Sequence, residues 1–412
     1  MNPNAPIPGR RLALAILLAV NLLNYIDRQV LYAVFPLIKA DLQLSDTALG
    51  LLGSAFMLCY MVTAPLFGWI GDRGSRVRLA AGGLVAWSLA TAGAGFARSY
   101  ATLLAARSAV GIGEASFGTV SPGLLADFFP LERRGRALAY FYLAIPVGSA
   151  LGYLFGGVVG QHLGWQKAFL LAGIPGLLLA LPLSRLREPV RLAAATSDRS
   201  SDRNYRALLR NRSFLTATLA MAAMTFALGG LAQWVPSFLN RVHGLDVARG
   251  NTLFGGITVL AGIAGTLTGG WLGDRIQARR SSGYLLVSGW GFILGAPITA
   301  AAIATHNLAI CLGAIFLAEF FLFLNTGPLN TVIVNVSPPG MRAMAFAVNI
   351  FIIHALGDAI SPAIIGRLSD AFGLRSALLI TPVAITVAAS FCFLCCRWIS
   401  GDTRRTGENL TD

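Results

Sequence analysis

Apolar residues run through this chain in blocks of about twenty, the length a helix needs to cross a bilayer, separated by short polar breaks. Six such blocks are predicted as helices at 12–36, 48–70, 79–97, 101–126, 137–160 and 167–185. A stretch from Leu186 to Arg212, rich in Arg, Ser and Asp, breaks the pattern. Six more blocks follow at 214–240, 251–272, 283–304, 307–334, 343–366 and 376–398. The pattern predicts an all-α membrane protein of twelve transmembrane helices. The predicted layout is a six-helix bundle at 1–185, a central loop at 186–213, a second bundle at 214–398 and a tail at 399–412.

Composition agrees and narrows the class. Hydrophobic residues make up 55% of the 412, and charged residues only 12%, about half the share of a soluble domain. Arg10 and Arg11 ahead of an apolar stretch resemble a signal peptide. That stretch continues to about Phe35, carries Asp27-Arg28 and lacks a small-residue cleavage site, so it is expected to stay as the first span. The five cysteines all lie in apolar runs. Cys392, Cys395 and Cys396 have no His or carboxylate cluster beside them and are expected to pack rather than bind metal.

The net charge of +14 could suggest nucleic acid, but the placement of the charges says otherwise. With the N-terminus inside, 23 of the 32 Lys and Arg fall in cytoplasmic segments, 7 fall on the opposite side, and Arg28 and Arg107 lie within spans. This bias follows the positive-inside rule and predicts both termini in the cytoplasm. The basic charge then reflects topology and attraction to anionic lipid.

The two halves repeat. Gly68-Trp-Ile-Gly71-Asp72-Arg73 returns as Gly270-Trp-Leu-Gly273-Asp274-Arg275, five identities in six at an offset of 202. Arg136-Ala-Leu-Ala-Tyr-Phe141 is echoed by Arg342-Ala-Met-Ala-Phe-Ala347, and Gly164-Trp-Gln-Lys-Ala-Phe169 more weakly by Gly373-Leu-Arg-Ser-Ala-Leu378. Parallel repeats of this kind imply a pseudo-two-fold axis along the membrane normal, with a site near the midplane.

Charges inside the spans are the candidate chemistry. Arg107, Gly111 and Glu114 fall at i, i+4 and i+7 and share one helical face. A charge at membrane depth costs about 2.5–3.5 kcal/mol on insertion scales, so such residues are expected to be paired or to line a site. Asp27-Arg28 lies about sixteen residues into the first span. It reads either as a self-neutralising pair or as a set of partners for the fourth span, Arg28 for Glu114 and Asp27 for Arg107 or a cavity. Adjacent helical residues diverge by about 100°, which suits a network with exchangeable partners. Burial favours a protonated Glu114 and a nearby Arg favours an ionised one, so separating the two would load a proton. The alternative is a structural bridge. Gly148, Gly152 and Gly156 on the fifth span permit close helix approach. In the second half Glu319, His354 and Asp358, with Asn325, Asn330, Asn349 and several Phe, form a more apolar counterpart. His354 is read as a polar core residue.

The loop Gly71-Asp72-Arg73-Gly-Ser-Arg76-Val-Arg78 can form a tight turn whose arginines reach carboxylates. With Gly68, Asp72, Arg73 and Arg76 in place, and Ser75 where a second glycine is usual, it resembles the loop motif of the major facilitator superfamily. Arg107-x-x-x-Gly111-x-Gly113 resembles that family's fourth-helix motif, which is associated with proton coupling. Asn24-Tyr-Ile-Asp27-Arg28, Arg107-Ser-Ala-Val-Gly-Ile-Gly-Glu114-Ala-Ser116, Asp127-Phe-Phe-Pro130 and Ala144-Ile-Pro-Val-Gly-Ser-Ala-Leu-Gly-Tyr153 are similar to the Spinster group. The resemblance implies a major facilitator fold and a cytoplasmic gate at Asp72, Arg73, Arg76, Asp274 and Arg275. It also implies export of sphingolipids or lysophospholipids.

The expected function is secondary active transport by alternating access, with Glu114 and Asp27 for proton coupling and Arg28 and Arg107 for an anionic or zwitterionic headgroup. Two alternatives are a proton-coupled carrier of a small organic anion or drug, and a non-transporting sensor or scaffold. No nucleophile–base pair or metal cluster suggests an enzyme. No cofactor is expected beyond protons as coupling ion, and the partners expected are the bilayer and an amphipathic or anionic small molecule, with no nucleic acid. The chain is expected to work as a monomer in the plasma (cell inner) membrane.

Overall fold

The computed structural model describes residues 9–129, 131–189, 205–338 and 341–408, and every regular element among them is a helix. Most of the central loop, with Arg191, Arg199 and Arg203, lies outside the described residues. The chain forms two compact units, one of Met1–Ser197 with Val235–Gly256, the other of Asp198–Trp234 with Ile257–Asp412. The first unit therefore includes a segment from beyond the central loop.

The first unit begins with α1 (Arg10–Ala33) and α2 (Phe35–Leu42), which continue one another across a break at Val34. Pro36 explains the break, because it has no N–H to give to Tyr32 and its ring crowds that carbonyl. The helix thus runs six residues past the predicted end at 36. Next come α3 (Asp46–Arg73), α4 (Arg76–Ala94) and α5 (Tyr100–Phe128). Each starts on a serine whose side chain accepts an otherwise unpaired backbone N–H: Ser45 from Ala48, Ser75 from Arg78, Ser99 from Thr102. The remaining helices of this part are α6 (Leu131–Tyr142), α7 (Ala144–Leu163) and α8 (Trp165–Ser184).

Glycine sets the packing around α5. A Cβ on Gly111 would lie 2.2 Å from the Phe56 carbonyl oxygen of α3, and one on Gly113 would lie 2.7 Å from Trp87 Cβ of α4. The backbone of α5 therefore sits directly against both neighbours. Gly148, Gly152 and Gly156 place α7 on α1 in the same way, each within 2.8 Å of an α1 atom for an added Cβ.

In the rest of the chain the helices are α9 (Tyr205–Arg210), α10 (Arg212–His243), α11 (Val247–Gln277), α12 (Gly283–Ala304), α13 (Leu308–Phe323) and α14 (Thr326–Asn335). They are followed by α15 (Arg342–Leu356), α16 (Ser361–Phe372), α17 (Leu374–Leu378), α18 (Ile380–Cys395) and α19 (Ile399–Glu408). The predicted spans 307–334 and 343–366 are each broken. Asn325 closes the first break by donating to the Leu322 carbonyl. Gly357 makes the second, where a Cβ would stand 2.3 Å from the Ile353 oxygen, and Pro362 opens α16. Interrupted helices survive at membrane depth only where the freed backbone groups are buried in protein or line a cavity. The Gly164 and Gly373 echo also has a physical basis: both sit at helix junctions with φ of 92° and 81°, a region that favours glycine.

Among the described residues, eleven helical stretches are long and apolar enough to cross a membrane. The 29-residue α5 is also long enough but falls outside that group. It is the helix that carries Arg107 and Glu114, and such charges lower its mean hydropathy. The three cysteines read as packing residues lie on or beside α18, with Cys392 and Cys395 fully buried.

Candidate functional site

Asp27 and Arg28 are adjacent on α1, so their side chains leave the helix about 100° apart. Asp27, 1% exposed, turns to α4, where Thr91 Oγ1 donates to its Oδ2 at 3.3 Å. Arg28 turns to α5, where its Nε donates to Glu114 Oε2 at 2.7 Å. The contact between Arg28 and Glu114 expected from the sequence is present.

Arg107 and Glu114 are both fully buried. Arg107 makes no hydrogen bond from any of its three guanidinium nitrogens. It lies within electrostatic reach of Glu114, Asp27 and Tyr32, and its guanidinium stands 5.2 Å from the centre of the Phe56 ring. Arg28 approaches the same ring at 5.0 Å, and also the rings of Tyr25 at 5.1 Å and Tyr60 at 5.3 Å. Phe56 is thus shared by two guanidinium groups. A ring face attracts a cation by about 0.5–2 kcal/mol, far less than a carboxylate or phosphate offers an arginine in a bidentate contact. Two arginines and two carboxylates therefore meet here with a single ion pair made, and Arg107 retains all of its donors.

The aromatic lining was not read from the sequence. Phe56 and Tyr60 are one helical turn apart on α3, a spacing equally common in ordinary apolar packing. Only the fold brings that face against Arg28 and Arg107. Thr91 gave no signal at all.

In the Gly-Asp-Arg loop Arg76 reaches two carboxylates: its Nη2 donates to Asp127 at 2.7 Å and its Nε to Glu188 at 2.9 Å. Ser75 Oγ donates to Glu188 at 2.8 Å. Burial works against the charge on Glu188, and the hydrogen bonds from Arg76 and Ser75 outweigh it, holding its carboxyl below the usual range. Asp72 is exposed, and Arg73 stacks on Trp69 at 4.3 Å. At the repeated sequence Arg275 stacks on Trp271 at 5.4 Å, and Asp274 accepts from Tyr284 Oη at 2.8 Å. Asp127 and Glu188, which fix Arg76, were not among the expected gate residues.

In the second unit Glu319 is 6% exposed, and Thr258 Oγ1 donates to its Oε1 at 3.1 Å. His354 Nδ1 and Asp358 Oδ1 lie 2.8 Å apart across the break between α15 and α16. Asn349 is buried. No group of His, Cys, Asp and Glu among the described residues has the arrangement of a metal site.

The helix repeat, the Gly-Asp-Arg loops and the charged α1–α5 pair coincide with a family model for the Major Facilitator Superfamily, which matches residues 17–362. The chain belongs to the Major Facilitator Superfamily. Within this superfamily of transporters it is of the Spinster type. It is 36% identical to human protein spinster homolog 1 over 88% of this chain and 74% of that protein. It is 34% identical to protein spinster of Drosophila melanogaster over 90% of this chain, and spans 65% of that protein's length. A bacterial homologue of the human lysosomal transporter Spinster, in an inward-facing and occupied conformation, superposes with a TM-score of 0.86 at 26% identity, covering 96% of this chain and 98% of that one. A D-xylose–proton symporter shares the fold, with a TM-score of 0.75 at 17% identity over 92% of this chain and 96% of that one. This superfamily member is a multi-pass integral membrane transporter rather than an enzyme.

Proposed function

We propose that the chain exports an amphipathic lipid of the lysophospholipid or sphingolipid kind, coupled to protons, by alternating access. The observation that carries this reading is Arg107: a fully buried guanidinium with none of its hydrogen bonds made, next to a pair already satisfied by Glu114. An anionic or zwitterionic headgroup supplies the acceptors that Arg107 lacks and competes with Glu114 for Arg28. Once displaced, Glu114 loses its counter-charge and takes up a proton, with Asp27 beside it as second carboxylate. Binding and protonation are then coupled through the single Arg28–Glu114 contact. The apolar tail of the cargo is accommodated by aromatic and aliphatic surface. Asp72, Arg73, Arg76, Asp274 and Arg275 serve as the gate on the cytoplasmic side, with both termini cytoplasmic in the plasma (inner) membrane. The carrier works as a monomer and uses no cofactor.

Proteoliposomes loaded with a panel of lysophospholipids, sphingoid lipids and small organic anions, with and without a pH gradient, test the reading. Lysolipid movement that accelerates with the gradient and is lost in Arg107→Gln is the expected result. Movement of small anions alone favours an organic-anion or drug carrier, and no movement of any candidate favours a sensor or scaffold.

A further inference from the structure

Asp46 lies at the start of α3, where a carboxylate normally faces water, yet it is 3% exposed. Two cations hold it. Lys39 of α2 donates to Oδ1, and Arg241 of α10 donates to both oxygens at 2.8 Å. Arg241 belongs to the segment Val235–Gly256 that forms part of the first unit. The same segment holds on at two further points. Asn251 Nδ2 donates to the Ala33 carbonyl at 3.1 Å, and the Val247 N–H donates to Gln161 Oε1 at 3.2 Å. The Ala33 carbonyl is available because the break before Pro36 diverts the Leu37 N–H to Val34.

The apolar part of this contact has small, flat partners. A Cβ on Gly157 would meet Asn251 Cβ at 2.6 Å, and one on Gly255 would meet the Ala150 oxygen at 3.0 Å. Between them Tyr153 and Phe254 meet edge to face at 5.0 Å. Glycine surfaces separate without unlocking interdigitated side chains, and the polar bonds are ones that water can replace. Both of these charge-assisted bonds come from the single nitrogen Nη1, while the partial exposure of Arg241, 23% of the side chain, keeps it close to solvent. Helices α10 and α11 both run from this segment into the second unit.

We propose that Asp46, Arg241 and Asn251 form a releasable latch at the ends of the helices opposite the Gly-Asp-Arg loop, which opens Val235–Gly256 away from the α2–α3 corner during turnover. Asp46 and Arg241 are positioning residues that set the closed population. The proposal rests on alternating access but on neither the cargo nor the coupling ion.

Pulsed electron–electron resonance tests it without substrate. Spin labels are placed at Ala40 and Arg249, both exposed, in a chain whose five cysteines are replaced, reconstituted in lipid nanodiscs. The parent is expected to give a dominant short distance. Asp46→Asn and Arg241→Gln should each raise a discrete longer-distance population about tenfold relative to the short one, the change that about 1.4 kcal/mol produces. Asp46→Glu should restore the parent distribution. If Arg241→Gln fails to fold, Asn251→Ala serves as the second variant and should move the population in the same direction. An unchanged distribution, or mere broadening with a lower unfolding temperature and no second population, overturns the latch. Because no lysolipid, no sphingoid lipid and no pH gradient enter the measurement, its failure is separate from failure of the lipid–proton reading.

Discussion

Arg28 and Arg107 carry the same charge at the same site, yet the structure gives them opposite consequences on removal. Arg28 is ion-paired to a carboxylate with no exposure of its own. Breaking a buried pair costs about 3–5 kcal/mol because the partner is left uncompensated. Arg107 makes no hydrogen bond, so its removal gives up a desolvated charge rather than a bond. Arg28→Gln should therefore lower the unfolding midpoint clearly in a scanning-fluorimetry measurement, while Arg107→Gln leaves it unchanged or raised. Headgroup competition should show the reverse emphasis, with Arg107→Gln weakening an anionic lysolipid about tenfold or more, since a charge-assisted hydrogen bond contributes about 1.5–3 kcal/mol. Glu114→Gln keeps an acceptor for Arg28 but can no longer exchange a proton. Its transport rate, plotted against the pH gradient, should become flat; a slope equal to that of the parent would sink the proton assignment. These residues were legible because charge at membrane depth is costly and therefore conspicuous. Phe56 and Tyr60 were not, since nothing in their composition separates a cation-facing ring from a lipid-facing one.

At the scale of elements, α5 is defined by what it lacks on two faces. Gly111 and Gly113 bring it against α3 and α4, and that approach sets how close Arg107 and Glu114 come to α1. Gly111→Val should force a shift of backbone against backbone, since an added Cβ meets the Phe56 carbonyl at 2.2 Å. The expected loss is at least about 1–3 kcal/mol, the usual cost of overpacking, read as a fall in unfolding midpoint together with loss of headgroup binding. Gly93→Ala on α4 is the control: an added Cβ there meets nothing within 4 Å, and the midpoint should hold or rise. The sequence predicted helices of about the right number and place. It missed the breaks at Val34, Leu324 and Gly357, because an apolar run looks continuous to a hydropathy pattern whether or not its backbone is.

Across the whole molecule, pH acts on groups inside the spans and on groups at their ends, and the two can be told apart. Glu188 has its carboxyl held below the ordinary value of 4.5. A group whose folded value is depressed stabilises the fold above its unfolded value and loses that contribution only as pH falls through the folded one. The Ser75–Arg76–Glu188 contact should therefore persist from pH 7.5 down to about 5, taking the unfolded carboxyl value of about 4.3 as the upper edge of its titration. Any change in transport between those pH values is expected to survive in Glu188→Gln and to vanish in Glu114→Gln. Transport measured across that range in both variants checks the assignment, and a pH response abolished by Glu188→Gln would move it to the end of the helices.

By itself the sequence determined the class, the approximate number of spans, the repeat and the charged residues that lie within the spans, because a bilayer penalises polar groups so strongly that each one stands out of its surroundings. It also carried the Spinster resemblance, written in local motifs. The tertiary structure decided which charges meet. Asp27 and Arg28 diverge to α4 and α5, Arg107 is left with its donors unmet, and Arg76 is fixed by Asp127 and Glu188. It also placed Arg241 on Asp46, 195 residues away in the chain, and with it Val235–Gly256 in the first unit. Pairings of that kind depend on helix rotation and on glycine-limited approach, which are set by how whole faces pack and not by the residues of any one span.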